Sequence, residues 1–361
     1  MNFELTFMWI KIVIVLAGLL SVVPIMLFVE RRGAALIQNR RGPNRIGPFG
    51  FFQTIADVIK FVFKEDRPPG HVNRFYWQIA PWIAVIPAFM TFAVIPFAGP
   101  LTINGQELHF QLANLDVGIL YCFSIASLGV YGIIMAGWAS NNKFSLLGSV
   151  RSSSQMISYE LTLGLSIVGI LMIFQSVRLG DIASAQGATL FTVAGFDIPR
   201  WGIFLQPVGF ILFLISVFAE TNRLPFDLPE GESELIAGYH LEYGSMRFAL
   251  FMMAEYINMA VGSALIVTLF FGGWQLLPGF TWIAQSFAHG DANMLAIWTV
   301  LLQGLSLVVK IAFFMWFFVW VRWTLPRFRF DQLMNFGWKV LFPIALLNVF
   351  VTGVLIYKGV L

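Results

Sequence analysis

Eight apolar stretches, each near the length that crosses a bilayer, leave this chain few ways to fold. They cover residues 8–29, 77–97, 117–138, 158–176, 202–219, 248–271, 296–320 and 338–357. A hydrocarbon core of about 30 Å takes roughly 20 apolar residues in a helix. The expected fold is therefore an all-α polytopic membrane protein with about eight transmembrane helices. Tryptophan and tyrosine mark many of the ends, among them Trp9, Trp77, Trp201, Trp274, Trp298, Trp320, Trp338 and Tyr357; this is the pattern of an aromatic belt. Composition agrees. The chain is 58% hydrophobic and 11% charged, whereas a soluble domain has about 25% charged residues. So little polar surface fits a fold whose solvent is largely lipid. The first apolar run lacks a preceding basic region and a small-residue cleavage site, so it reads as a retained helix rather than a signal peptide. The whole of 1–361 is expected to form a single membrane domain.

Several function classes drop out early. A net charge of +3 does not suggest nucleic acid as a partner. Cys122 is the only cysteine, so no disulfide within the chain and no cysteine cluster is possible. The histidines His71, His109, His240 and His289 are scattered without metal-ligand spacing. No metal site is expected, and a redox cofactor would have to sit in a partner chain.

Lysine and arginine set the orientation. Residues 30–76 hold nine: Arg31, Arg32, Arg40, Arg41, Arg45, Lys60, Lys64, Arg67 and Arg74. Lys143 and Arg151, Arg223 and Arg247, and Arg322, Arg327 and Arg329 follow the third, fifth and seventh stretches; the alternate loops hold only Arg178 and Arg200. The positive-inside rule places the basic side in the cytoplasm, or the matrix for an organelle-encoded chain, with both termini opposite. Within the first basic segment, 48–64 reads as a further amphipathic helix. Gln53, Asp57, Lys60 and Lys64 form one narrow polar stripe on an otherwise apolar surface. Spanning would break the charge alternation, so the helix is expected to lie along the interface. It is either a simple anchor or one wall of an opening for a lipid-like ligand.

The acidic residues are the most informative. The cytoplasmic loop 219–247 carries Glu220, Asp227, Glu230, Glu232, Glu234 and Glu242 against Arg223 and Arg247. Water could screen such a cluster, or some carboxyls could hold protons. Phe226, Leu228, Leu235, Ile236, Tyr239 and Leu241 interleave with them, which argues for a folded, partly buried loop. Glu160, Glu255 and Lys310 lie inside apparent helices. An ionisable group within the membrane is costly and is a functional candidate by default; the plainer reading is an ion pair between helices, for instance Lys310 with a carboxylate. A file of carboxyls leading from a polar loop into a helix bundle suits proton relay.

At these residues the chain resembles a known family. ERRGAALIQNRRGPNRIGPFGFFQTIADVIKFVFKE (30–65), SSSQMISYE (152–160), AETNRLPFDLPEGESELIAGYHLEYG (219–244), AEYIN (254–258) and LPRFRFDQLMNFGW (325–338) carry the likeness. They are similar to the H-subunit family of bacterial NADH–quinone oxidoreductase, respiratory complex I, whose mitochondrial equivalent is NADH dehydrogenase subunit 1. The likeness runs over nearly the whole chain and is weakest around 178–200. It implies a membrane component of a proton-translocating oxidoreductase, without a complete active site of its own. It implies a quinone, ubiquinone, as substrate, and flavin and iron–sulfur clusters in partner subunits. Those partners are the peripheral-arm subunits at the quinone site and small membrane subunits, in a bacterial inner membrane or the mitochondrial one. Carried over by motif, Arg31, Arg40, Asp57 and Arg322 become quinone-path residues. Glu160, Glu220, Asp227, Glu230, Glu232, Glu234, Glu242 and Glu255 become a proton path. A hydrogenase-type relative that uses no quinone, a stand-alone transporter and a purely structural anchor are the competing readings. The transporter lacks a visible inverted repeat, and an anchor does not explain carboxyls inside apolar helices.

Overall fold

A computed structural model describes residues 3–103, 106–193, 196–228, 236–277, 279–288 and 292–360. The chain is a helical bundle. Its helices are α1 (Phe3–Ile37), α2 (Phe52–Phe63), α3 (Arg74–Phe92), α4 (Gly118–Ala139), α5 (Lys143–Phe174), α6 (Leu179–Ala185), α7 (Gly202–Leu205), α8 (Pro207–Glu220), α9 (Ser245–Phe270), α10 (Phe280–Ala288), α11 (Ala292–Thr324), α12 (Phe330–Phe336) and α13 (Phe342–Tyr357). A π-helical turn, Gly337–Leu341, joins the last two into one long rod. Two short antiparallel hairpins pair Leu101–Ile103 with Gln106–Leu108 and Thr189–Val193 with Phe196–Pro199.

Among the described residues, seven helices are long and apolar enough to cross a membrane. The eighth apolar segment, expected over 202–219, is broken. Gln206 leaves helical geometry at φ −136°, ψ 62°, and Pro207 begins the 14-residue α8. Proline lacks the N–H that would continue α7, so the chain restarts there. At about 1.5 Å per residue, α8 is some 21 Å long, short of a full crossing. The Gln206 side chain covers the break: its amide donates to Thr352 Oγ1 (2.7 Å) and accepts from Asn348 Nδ2 (3.0 Å), both on α13.

Three helices outrun their apolar stretches. α1 reaches Ile37, α11 reaches Thr324, and α5 begins at Lys143 rather than near 158. The extra turns of α5 carry Ser145, Ser149, Ser152 and Gln155, which are fully buried. Gln155 donates to the carbonyls of Ala219 and Phe226, at 2.8 Å each, and Ser145 donates to Gly238 O at 3.0 Å. These polar residues are the seat on which the loop after α8 rests. That loop is folded where it is described: Phe226, Leu228 and Tyr239 are buried, while Ile236 is exposed.

α9 is the axis. Most of it is buried, whereas α1 and the rod ending in α13 leave most of their surface outward. One core packs α8, α9 and α11 through Phe213, Val217, Phe218, Ile257, Phe270, Phe314 and Phe318. A second packs α3, α4 and the first turns of α9 through Trp77, Ala80, Ala84, Val130, Ile133 and Phe251. α3 and α4 touch backbone to backbone at Gly132, where a Cβ would come within 2.6 Å of the Ala84 nitrogen. Small residues let membrane helices approach in this way.

Candidate functional site

The inner end of α1 carries a carboxylate that sequence reading passed over. Glu30, which opens the charged run ERR, is buried. Arg322, from the last turn of α11, donates to Glu30 Oε1. Tyr256 of α9 donates to its Oε2 at 2.5 Å, and Arg223 Nη1 reaches both oxygens at 3.4 Å. Arg223 also brings its Nε to 2.5 Å from Glu255 Oε1, and its guanidinium lies over the Tyr256 ring, 4.5 Å from the centroid. Residues of α1, α9, α11 and the loop after α8 thus meet in a knot of two carboxylates and two guanidiniums.

Arg223 is 5% exposed. Burial by itself would push its pKa down; the carboxylates of Glu255 and then Glu30 more than reverse this and hold it well above the ordinary arginine value. The ions are costly to desolvate, and mutual pairing makes the burial tolerable.

Beside the knot opens a cavity of about 410 Å³. Arg31, Arg40 and Arg322, expected on a quinone path, line it together with Glu30, Arg223, Glu255 and Tyr256; Leu27, Ala34, Pro43, Met252 and Trp323 supply apolar wall. Asp57, the fourth expected residue, stands one contact back. On α2 it accepts from Arg31 Nη1 at 2.5 Å and from Gln53 Nε2 at 3.2 Å. Gln53 and Asp57 of the α2 stripe therefore turn toward α1, while Lys60 and Lys64 are exposed with Phe52, Ile55, Ile59, Val62 and Phe63.

The acids of the expected proton path divide. Glu255 and Glu220 line one small cavity of about 40 Å³. Glu220 stands within electrostatic range of Glu160, which accepts from Ser127 Oγ of α4. Asp227 pairs with Arg327 at 3.2 Å and lies within electrostatic range of Glu255. Glu242 sits apart, accepting from Asn142 Nδ2 at 2.9 Å and facing His71 Nε2 at 3.5 Å. Glu230, Glu232 and Glu234 lie outside the described residues.

Lys310 has partners of a different kind from the carboxylate of the plainer reading. Its ammonium donates to the carbonyls of Phe271 (3.0 Å), Gly273 (3.0 Å) and Gln275 (2.8 Å), just past the far end of α9. Three donors meet three acceptors. The ammonium satisfies carbonyls of the turn that follows the helix, and Ser306 shares the Gln275 carbonyl with it. No spacing rule marks this arrangement, because the acceptors are backbone atoms.

The sequence has counterparts among known proteins. Residues 10–353 match the family model described as NADH dehydrogenase. The chain is 46% identical over 345 residues to the second H-type subunit of the NADH-quinone oxidoreductase of Geobacter sulfurreducens, covering 95% of this chain and 94% of that one. It is 43% identical to the H-type subunit of the NADH-quinone oxidoreductase of Bdellovibrio bacteriovorus, over 98% and 97%. It is 44% identical to the NADH-quinone oxidoreductase subunit 8 of Rhodothermus marinus, over 96% of each.

Proposed function

The chain belongs to the NADH dehydrogenase family, and from that premise we propose that it is the membrane subunit of a proton-pumping NADH:quinone oxidoreductase, forming much of the quinone chamber and linking quinone reduction to proton movement through its carboxyls. The observation that carries the reading is the cavity of about 410 Å³ whose wall joins Arg31, Arg40 and Arg322 to Glu255, the first acid of the file.

A quinone has an apolar tail and two carbonyl oxygens. Reduction adds two electrons and two protons and yields the quinol. The tail is an oily chain that needs a way in from lipid, and the outward apolar face of α2 supplies one at the interface. The basic ends of the helices then face the cytoplasm, with both termini opposite. At the head, the guanidiniums of Arg31, Arg40 and Arg322 present N–H donors to an oxygen that gains negative charge as electrons arrive. Electrons come from flavin and iron–sulfur centres in the partner subunits.

A change of charge in the cavity is felt by the knot, because Arg322 and Arg223 share their pairing between the cavity and the carboxylates. A reduced, negative head competes with Glu30 and Glu255 for the same guanidiniums. A carboxylate that loses its counter-ion in a dry site binds a proton more tightly. Glu255, then Glu220 across the small cavity, then Glu160 are the positions through which such a change passes into the bundle. Glu242, held by Asn142 and His71, seats the loop that carries the path; Glu230, Glu232 and Glu234 keep the proton-path role that their motif implies.

Replacing Glu220 or Glu255 by Gln in the assembled complex tests the reading. Each keeps the side-chain shape and removes the exchangeable proton. Quinone reduction by NADH is expected to fall at least tenfold while all subunits remain assembled. Full activity in both variants would sink a required carboxyl path. Competition by a quinone-site inhibitor that weakens in Arg322→Met separates a chamber role from an anchoring one.

A further inference from the structure

A carboxyl and a carboxamide inside the bundle have no hydrogen-bond partner among the described residues. Glu220 makes no hydrogen bond or ion pair with a described residue, and neither does the side chain of Asn258. Glu220 is the last residue of α8, and Asn258 lies on α9, one turn beyond Glu255. Polar groups in such a place are satisfied by something, since an unmade hydrogen bond there costs roughly 1–3 kcal/mol.

The space beside them is wide enough for water. The cavity of about 40 Å³ is lined by Glu255, Glu220, Thr221, Asn222 and Asn258. A second, of about 30 Å³, is lined by Glu220, Thr221 and Asn258 on one side and by Thr91, Cys122 and Leu265 farther along the bundle. Each exceeds the ~10–15 Å³ that one water occupies. Glu255 borders only the first. Glu220, Thr221 and Asn258 border both, and Thr221 spends its hydroxyl proton on the carbonyls of Val217 and Phe218. Asn258 is thus the neutral group with free donors and a free acceptor at the junction. Being three residues from Glu255 on the same helix, it faces the same way.

We infer that Asn258 is a positioning residue for proton transfer: its carboxamide anchors the water that joins Glu255 to Glu220. The inference rests on the carboxyl path proposed above and names the group that keeps it wet. In the step, protonated Glu255 gives its proton to the water oxygen as the same water gives one to the Glu220 carboxylate. One proton moves, the water is regenerated, and no redox partner is needed. The amide neither gains nor loses a proton. It fixes the water's orientation with one N–H and one C=O.

The test uses the whole complex reconstituted in vesicles, with Asn258→Leu, Asn258→Asp and Glu220→Gln side by side. Asn258→Leu is expected to keep assembly, slow quinone reduction at least fivefold, enlarge the solvent deuterium isotope effect and shift the pH profile. It should also shift the carboxyl C=O stretch that Glu220→Gln removes, because the water hydrogen bond is gone. Asn258→Asp, which still holds water, should recover at least half of the activity. Wild-type turnover, isotope effect and carboxyl band in Asn258→Leu would overturn the inference while an impaired Glu220→Gln left the path standing. A silent Glu220→Gln would remove both. Should Asn258→Leu fail to assemble, Asn258→Ala decides in the same way. It removes the amide and leaves room, so full activity there would show that the amide anchors nothing.

Discussion

The two ends of α9 handle buried charge in opposite ways. In its first half, Glu30, Arg223 and Arg322 join Glu255 beside a cavity of about 410 Å³. Some 15 residues on, roughly 22 Å along the helix, Lys310 is matched donor for acceptor by the carbonyls of Phe271, Gly273 and Gln275. The first arrangement has shared partners and open space, so its pairing can change when the cavity changes. The second is closed, and a change there only removes structure. An ionisable residue within a membrane helix is therefore a functional candidate only until its partners are known.

The comparison breaks most readily at Arg223. Arg223→Met leaves Glu30 and Glu255 facing one guanidinium instead of two. Removing one partner of a buried ionic group costs about 3–5 kcal/mol. The variant complex should unfold earlier in a thermal scan and accumulate poorly, and Arg223→Lys should recover part of the loss.

His240 sharpens the difference through pH. It packs edge-on against Tyr239 and Phe248, and burial pushes its pKa down to about 4. The unfolded chain binds the proton near pH 6.5, so the stabilisation is full above that pH. It is lost as pH falls toward 4, by up to about 3 kcal/mol. Thermal stability of His240→Phe should decline less than wild type over that window; parallel curves would show that the loop does not sense the proton.

Lys310→Met tests the closed end. Buried carbonyls left without a donor cost roughly 1–3 kcal/mol. Stability should drop by that amount while quinone reduction per assembled complex stays near wild type. A selective loss of turnover would erase the contrast between the two ends. The smallest effect is expected at Arg31 and Asp57, whose pair is partly exposed. A double-mutant cycle on stability should give about 1 kcal/mol or less, and a larger effect on quinone affinity than on melting.

Much of this was readable from residue order. Continuous apolar runs marked the helices, and the stripe of Gln53 and Asp57 marked the face of α2 that meets Arg31. What stayed hidden follows a pattern. The first turns of α5 hide because buried serines look like loop, and only the contact with 219–228 and 238–239 explains their burial. Glu30 hides because a charge at a helix end is ordinarily solvated. The break at Gln206 hides because the clasp that makes it tolerable lies about 140 residues away on α13. Asn258 hides because what marks it is the lack of a partner among the described residues. In each case the deciding neighbour is distant in sequence, where periodicity carries no information.

One consequence concerns α1. It is 35 residues long, about 52 Å by helical rise, and contains Pro24 one and a half turns before Glu30. Most of its length leans on little else. A helix longer than the membrane is thick answers a thinner bilayer by tilting, and Pro24, lacking its N–H, provides the joint. Glu30 rides on the short arm of that lever. Acyl-chain length in the surrounding lipid is then an input to the ion pairs at its tip, and equal turnover in short- and long-chain vesicles would show the lever to be stiff.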